Sequence, residues 1–110
     1  MARPVKGDVV VVPFPFSDLT QAKRRPALVV AQLDGDDLIP CQITSQQIRD
    51  RTAMALVDGD FATGSLRQPS NIRPNRLFAA DQHIVLYPVG HLKQSKTDAV
   101  ISEIVEILRR

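Results

Sequence analysis

The sequence predicts a mainly β protein with a single C-terminal helix, an α+β chain built on a small, strongly bent sheet or barrel. Three observations carry this. Val9–Val12 and Ala27–Val30 are short apolar runs rich in β-branched residues, the composition of half- or fully covered strands. Turn-forming clusters recur along the chain, at Asp34-Gly35-Asp36-Asp37, at Asp58-Gly59-Asp60 and at Pro88 with Gly90. Only the last stretch has helical period.

The elements follow in order. After the first strand come Pro13 and Pro15, which have no backbone N–H to give to a central ladder, so a loop is expected there. That loop ends in Lys23-Arg24-Arg25-Pro26 at the mouth of the second strand. Asp34-Gly35 supplies the positive φ of a hairpin turn, and Leu38–Thr44 returns as its partner, irregular or on an edge at Pro40. Ser45–Arg51 is polar, and Ala53–Val57 reads as another short strand. Ala62–Pro69 reads as loop, Ser70–Phe78 as an extended segment broken at Pro74, and Ile84–Tyr87 as a last strand. Val100, Ile101, Ile104, Val105, Ile107 and Leu108 then form one broad apolar helix stripe, as packing on the chain's own sheet requires. Ser95 with Asp98, or Thr97, is the expected cap, and Arg109 and Arg110 suit the negative helix end.

A chain of 110 residues, 44% apolar and 24% charged, is expected to form one globular domain over residues 1–110. Its net charge of +2 is mildly basic, and the distribution matters more than the sum. One cysteine, Cys41, excludes an internal disulfide and suits a reducing cytoplasm; it sits in an apolar run as a small buried hydrophobe would. With only His83 and His91 beside it, no metal cluster is expected, and no segment reaches membrane-spanning length. The expectation is a cytoplasmic protein with no metal, no cofactor and no membrane partner.

The residues suited to chemistry are cations and hydroxyls. An antiparallel hairpin places the residue before one strand next to the residue after its partner, so the Asp-Gly turn brings Arg25 and Thr44 to one end of the ribbon. Arg25 is held extended by Pro26, and its planar guanidinium can grip two phosphate oxygens. Thr44 and Ser45 offer hydroxyls beside it, although both types also serve as ordinary strand and turn residues. Lys23 and Arg24 read as a solvated run or as phosphate steering. Ser70, Asn71, Arg73, Asn75 and Arg76 form a polar, acid-free segment suited to single-stranded nucleic acid, or simply an exposed edge. Phe14 and Phe16 flank Pro15, placed either to stack on bases or to point together into the core.

Taken together, GDVVVVPFPFSDLTQAKRRPALVV, then ITSQ at Ile43–Gln46, then LRQPSNIRPNRLFAAD at Leu66–Asp81 and a Val-Gly-His-Leu lead into the last helix resemble the MazF/PemK (Kid-like) toxins over nearly the whole chain. The resemblance implies an SH3-like small β-barrel with a C-terminal helix. It also implies a homodimer, a cognate antitoxin protein, and a metal-independent, sequence-selective endoribonuclease (mRNA interferase) acting on single-stranded RNA. The family's catalytic Arg and Thr fall on Arg25 and Thr44. Its RNA-binding segments bring in Phe14, Phe16, Lys23, Arg24, Ser45, Gln46, Ser70 and Arg73. Thr20 stands where some members carry a glutamate, so that position supplies no proton acceptor here. Two alternatives keep the architecture: a poison that binds gyrase, as the related CcdB toxins do, and a nucleic-acid-binding barrel without turnover.

Overall fold

The computed structural model describes residues 3–15, 22–46 and 50–110, with Phe14, Pro15 and Ala22 described as backbone. Eight strands are present: β1 (Asp8–Pro15), β2 (Ala22–Gln32), β3 (Asp37–Thr44), β4 (Met54–Leu56), β5 (Phe61–Gly64), β6 (Ser70–Leu77), β7 (Ala80–Asp81) and β8 (Tyr87–Leu92). One helix, α1 (Gln94–Leu108), ends the chain, and 3-10 turns occupy Asp58–Asp60 and Gln82–Ile84. The strands form one antiparallel sheet in the order β4-β6-β3-β2-β1-β8-β5, with β7 paired to β3 off that path. The sheet curls into a half-barrel, the mainly β architecture with a C-terminal helix that the sequence predicts. No helix among the described residues is long and apolar enough to cross a membrane.

Both faces of the central strands are covered, which explains their unbroken apolar runs. Val9, Leu28, Cys41 and Ile43 pack with Ile72, Leu92 and the α1 residues Val100 and Ile104. The alternate positions Val10, Val12, Ala27 and Val29 form a second cluster on the other face with Leu38 and Val85. The β2–β3 hairpin turns at Gly35, whose φ is +74° as the Asp-Gly pair predicts.

The prolines depart from expectation. Pro13 and Pro15 lie within β1, opposite Arg24 and Ala22, not in a loop. The reason is directional. The Val11 carbonyl accepts from Leu86 N–H on the β8 side, so the alternate positions 13 and 15 also face that side, where pairing with β8 stops at Val11. Their missing donors leave no ladder bond unmade. The basic triplet shifts with them: Lys23, Arg24 and Arg25 belong to β2. At Pro40 the expected irregularity is present as a register shift between Val29 and Ala31 of the facing strand. The break in Ser70–Phe78 is likewise a register shift against β3, within a continuous strand.

Three further differences are local. Ala62–Gly64, the start of the expected loop Ala62–Pro69, belongs to β5 and pairs with β8, and the Gln82–Ile84 turn displaces the last strand to Tyr87–Leu92. Helix α1 begins after Lys93 with no side-chain cap, and Thr97 is buried inside its first turn rather than capping it. The apolar stripe also exceeds the surface it covers: Val100 and Ile104 are buried, whereas Val105 and Leu108 are 40% and 74% exposed.

Candidate nucleic-acid interface

One rung of the sheet makes the floor of the largest cavity. Val11 pairs with Pro26 on one side and Tyr87 on the other. The β2–β3 register Leu28↔Cys41, Ala27↔Gln42 brings Ile43 opposite Pro26 when continued by one step. These four residues line a cavity of about 640 Å³. Its polar edge comes from four places: Arg25 from β2, Ser45 just past β3, Ser65, Arg67 and Gln68 from the segment joining β5 to β6, and Ser70 at the start of β6. Among the described residues, two arginines and no carboxylate line it, which makes the cavity electrostatically suited to an anion.

Continuing the same register one step further places Arg25 opposite Thr44, and Thr44 pairs on its other side with Asn71. The hairpin therefore carries Arg25 and Thr44 at the same end, each two residues beyond the last β2–β3 pair, Ala27↔Gln42. Their surroundings differ. Arg25 is half-buried and lines the cavity. Thr44 is buried and is not among the lining residues; its Oγ1 accepts a hydrogen bond from the Gln46 N–H at 3.2 Å. That bond fixes the hydroxyl oxygen and leaves its proton without an acceptor among the described residues.

Of the other residues singled out from the sequence, Ser45 and Ser70 reach the same cavity. Lys23 and Arg24 are exposed on β2, opposite Phe14 and Pro13, at the strand end towards residues 16–21. Gln46 is exposed. Phe16, like Thr20, lies outside the described residues, and Phe14 is described only by its place in β1. Arg73 is turned elsewhere: its Nη2 lies 3.4 Å from Asp50 Oδ2, with the two side chains only 19% and 15% exposed. Asp50 in turn accepts from Thr52 N–H at 2.9 Å and from Thr52 Oγ1–H at 2.7 Å. These two bonds, with Arg73 in support, hold the Asp50 carboxyl below its ordinary pKa.

Sequence reasoning passes over Arg67, Gln68 and Tyr87. Arg67 carries a signal, as a cation with no nearby acid just before Pro69-Ser70. Tyr87, the only tyrosine, hides at the end of an apolar run; half its surface is exposed in the folded chain. Cys41 is not chemistry-bearing: burial pushes its thiol up to about 12, and Sγ–H donates to the Arg73 carbonyl at 3.1 Å. Among the described residues, no group of three His, Cys, Asp or Glu side chains converges to hold a metal ion.

The curled antiparallel sheet with a terminal helix is a fold shared with solved structures. An endoribonuclease in complex with its cognate antitoxin from a mycobacterial species aligns with a TM-score of 0.70 at 14% identity, over 96% of this chain and 94% of that one. An endoribonuclease from a mycobacterial species aligns with a TM-score of 0.70 at 16% identity, over 98% and 93%. The Mycobacterium tuberculosis toxin MazF-mt6 aligns at 0.66 and 17% identity, over 91% and 96%. At such identities the likeness establishes the fold. No curated protein matches the sequence significantly. The family model of the PemK-like, MazF-like toxins of type II toxin-antitoxin systems matches residues 5–108, and the chain belongs to that family.

Proposed function

We propose that this chain is the toxin of a type II toxin-antitoxin system and cleaves single-stranded RNA as a sequence-selective endoribonuclease. The observation that carries the reading is the cavity that Arg25, Ser45, Arg67 and Ser70 line, with no acid among its described lining residues, at the end of the hairpin that also carries Thr44. Family membership and the fold shared with named endoribonucleases support it.

The reaction is an internal transesterification. The ribose 2′-oxygen bonds to the adjacent phosphorus as the bond to the 5′-oxygen breaks, giving a 2′,3′-cyclic phosphate and a 5′-hydroxyl. The 2′-OH loses its proton and the leaving 5′-oxygen gains one, so the substrate supplies the nucleophile. The protein's part is to stabilise the extra charge on the phosphorane-like transition state. Arg25 does this with charge-assisted hydrogen bonds, and the Thr44 hydroxyl, its oxygen held by Gln46, donates its proton to the same phosphate. Phe14, Phe16, Lys23, Arg24, Ser45, Gln46 and Ser70 complete the RNA contacts, while Arg73, paired with Asp50, supports the strand that carries Ser70. The protein acts in the cytoplasm as a homodimer, and a cognate antitoxin covers the groove.

Purified protein incubated with single-stranded RNA in EDTA tests the reading. Cleavage to 2′,3′-cyclic phosphate ends is expected, with loss of about 10²–10³ in rate for Arg25→Ala, the cost of removing one preorganised donor. Cutting of a substrate with hydrogen in place of the 2′-OH at the scission site, or full activity of Arg25→Ala, refutes it.

A further inference from the structure

A second cavity, of about 350 Å³, adjoins the first and shares Leu66, Arg67 and Gln68 with it. It is near the lower end of the size range of small-molecule sites, roughly 300–1,000 Å³. Leu56, Phe61 and Pro69 give it apolar walls, and Asp58 stands in its lining. The Asp58 carbonyl accepts from Phe61 N–H, but its exposed carboxylate has no hydrogen bond or ion pair among the described residues, unlike that of Asp60 two residues on, which accepts from Val57 N–H and faces Lys96. Arg67 on the shared wall is exposed and unpaired among the described residues.

The geometry points to this second cavity as a nucleobase subsite that selects guanine, placed one step along the chain from the phosphate held at Arg25. The inference rests on the ribonuclease reading and adds its base preference. A cavity with apolar walls and one carboxylate, beside a cationic cavity, fits a nucleotide whose phosphate sits in one and whose base enters the other. Arg67, on the wall between them, is placed to contact the backbone as it crosses. Guanine alone among the RNA bases presents two adjacent donors, N1–H and N2–H, on its Watson–Crick edge, and a carboxylate accepts both. Adenine and cytosine present a donor beside an acceptor, and their ring nitrogen would face Asp58 lone pair to lone pair. A good bidentate pair discriminates by roughly ten-fold or more.

The test is cleavage of a randomised single-stranded RNA library, with the bases flanking each cut read by sequencing, for wild type and Asp58→Asn. The Asp58 carboxylate anchors nothing in the fold, so the variant folds. Wild type is expected to favour guanine at one flanking position. Asp58→Asn, which offers one acceptor and one donor, is expected to reduce that preference ten-fold or more and move it towards adenine or cytosine. If wild type cuts without a guanine preference, or Asp58→Asn cuts with an unchanged profile, the subsite is wrong while the ribonuclease reading stands. If wild type cuts no RNA, the ribonuclease reading fails and takes the subsite with it.

Discussion

Asp50 is expected to be a stability determinant well out of proportion to its place in a polar loop. Asp50→Ala removes two hydrogen bonds to Thr52 and the carboxylate facing Arg73. Each hydrogen bond contributes about 1 kcal/mol net. Breaking a fully buried ion pair costs ~3–5 kcal/mol and an exposed one ~0–1. With the partners 15–19% exposed and 3.4 Å apart, the pair falls between these limits. Arg73 Nε is already buried without a partner among the described residues, so the guanidinium has little else to turn to. The total is about 3 kcal/mol, a fall of about 13 °C in Tm for a chain of this size. Asp50→Asn keeps an acceptor for Thr52 and loses only the charge, so about 1 kcal/mol is expected. Urea unfolding of both, with Asp50→Ala/Arg73→Met to close the cycle, measures the coupling. The sign with pH is fixed. The folded carboxyl titrates below its ordinary value of 3.8, so its contribution is complete above that value and is lost as the pH falls through the folded one. An Asp50→Ala protein within about 0.5 kcal/mol of wild type, or a double variant that is simply additive, would falsify this account.

Two further outcomes follow from close packing. At Gly64 φ is +70°, and an added Cβ would stand 2.2 Å from the Val89 carbonyl oxygen and 2.6 Å from Gly90 Cα, both backbone atoms. Gly64→Ala is therefore expected to cost more than about 2 kcal/mol in urea unfolding, left-handed strain alone accounting for ~1–2; an unchanged midpoint would show that the β5–β8 contact is looser than described. Cys41, fully buried with its thiol pushed up to about 12, is expected to resist disulfide-exchange reagents at pH 8 and to react on unfolding. Rapid labelling of the native protein would refute its burial.

The features legible in the sequence are those that local geometry dictates. An Asp-Gly turn with apolar flanks fixes a hairpin, and a hairpin fixes which residues lie opposite each other; Arg25 and Thr44 came together from that alone. The prolines were misjudged for an equally physical reason. Whether a proline breaks a ladder depends on which side its missing N–H faces, and that follows from where a neighbouring strand stops, here β8 beyond Val11. The capping signal at Ser95 and Asp98 is not used because α1 starts two residues earlier, with Lys93 at the cap position and its N–H donating to the Asp60 carbonyl of a distant turn.

The same distinction separates the two halves of the candidate site. Arg25, Thr44 and Ser45 come from one hairpin, whereas Arg67, Gln68 and Tyr87 arrive through β8 and the β5–β6 connection, whose place is set by the order β2-β1-β8-β5. No periodicity within either segment encodes that order. Composition also groups what the sheet divides: Ser70 and Arg73 belong to one polar stretch, but the register of β6 against β3 shifts between Ile72 and Leu77, the interval that contains Arg73 and not Ser70. Ser70 reaches the cavity, while the Arg73 side chain meets Asp50 and its carbonyl accepts from Cys41. A charge read from sequence as available to RNA is thus first a tie between β6 and the segment after β3. Arg67, with no acid to hold it among the described residues, is the cation of that region left for a phosphate.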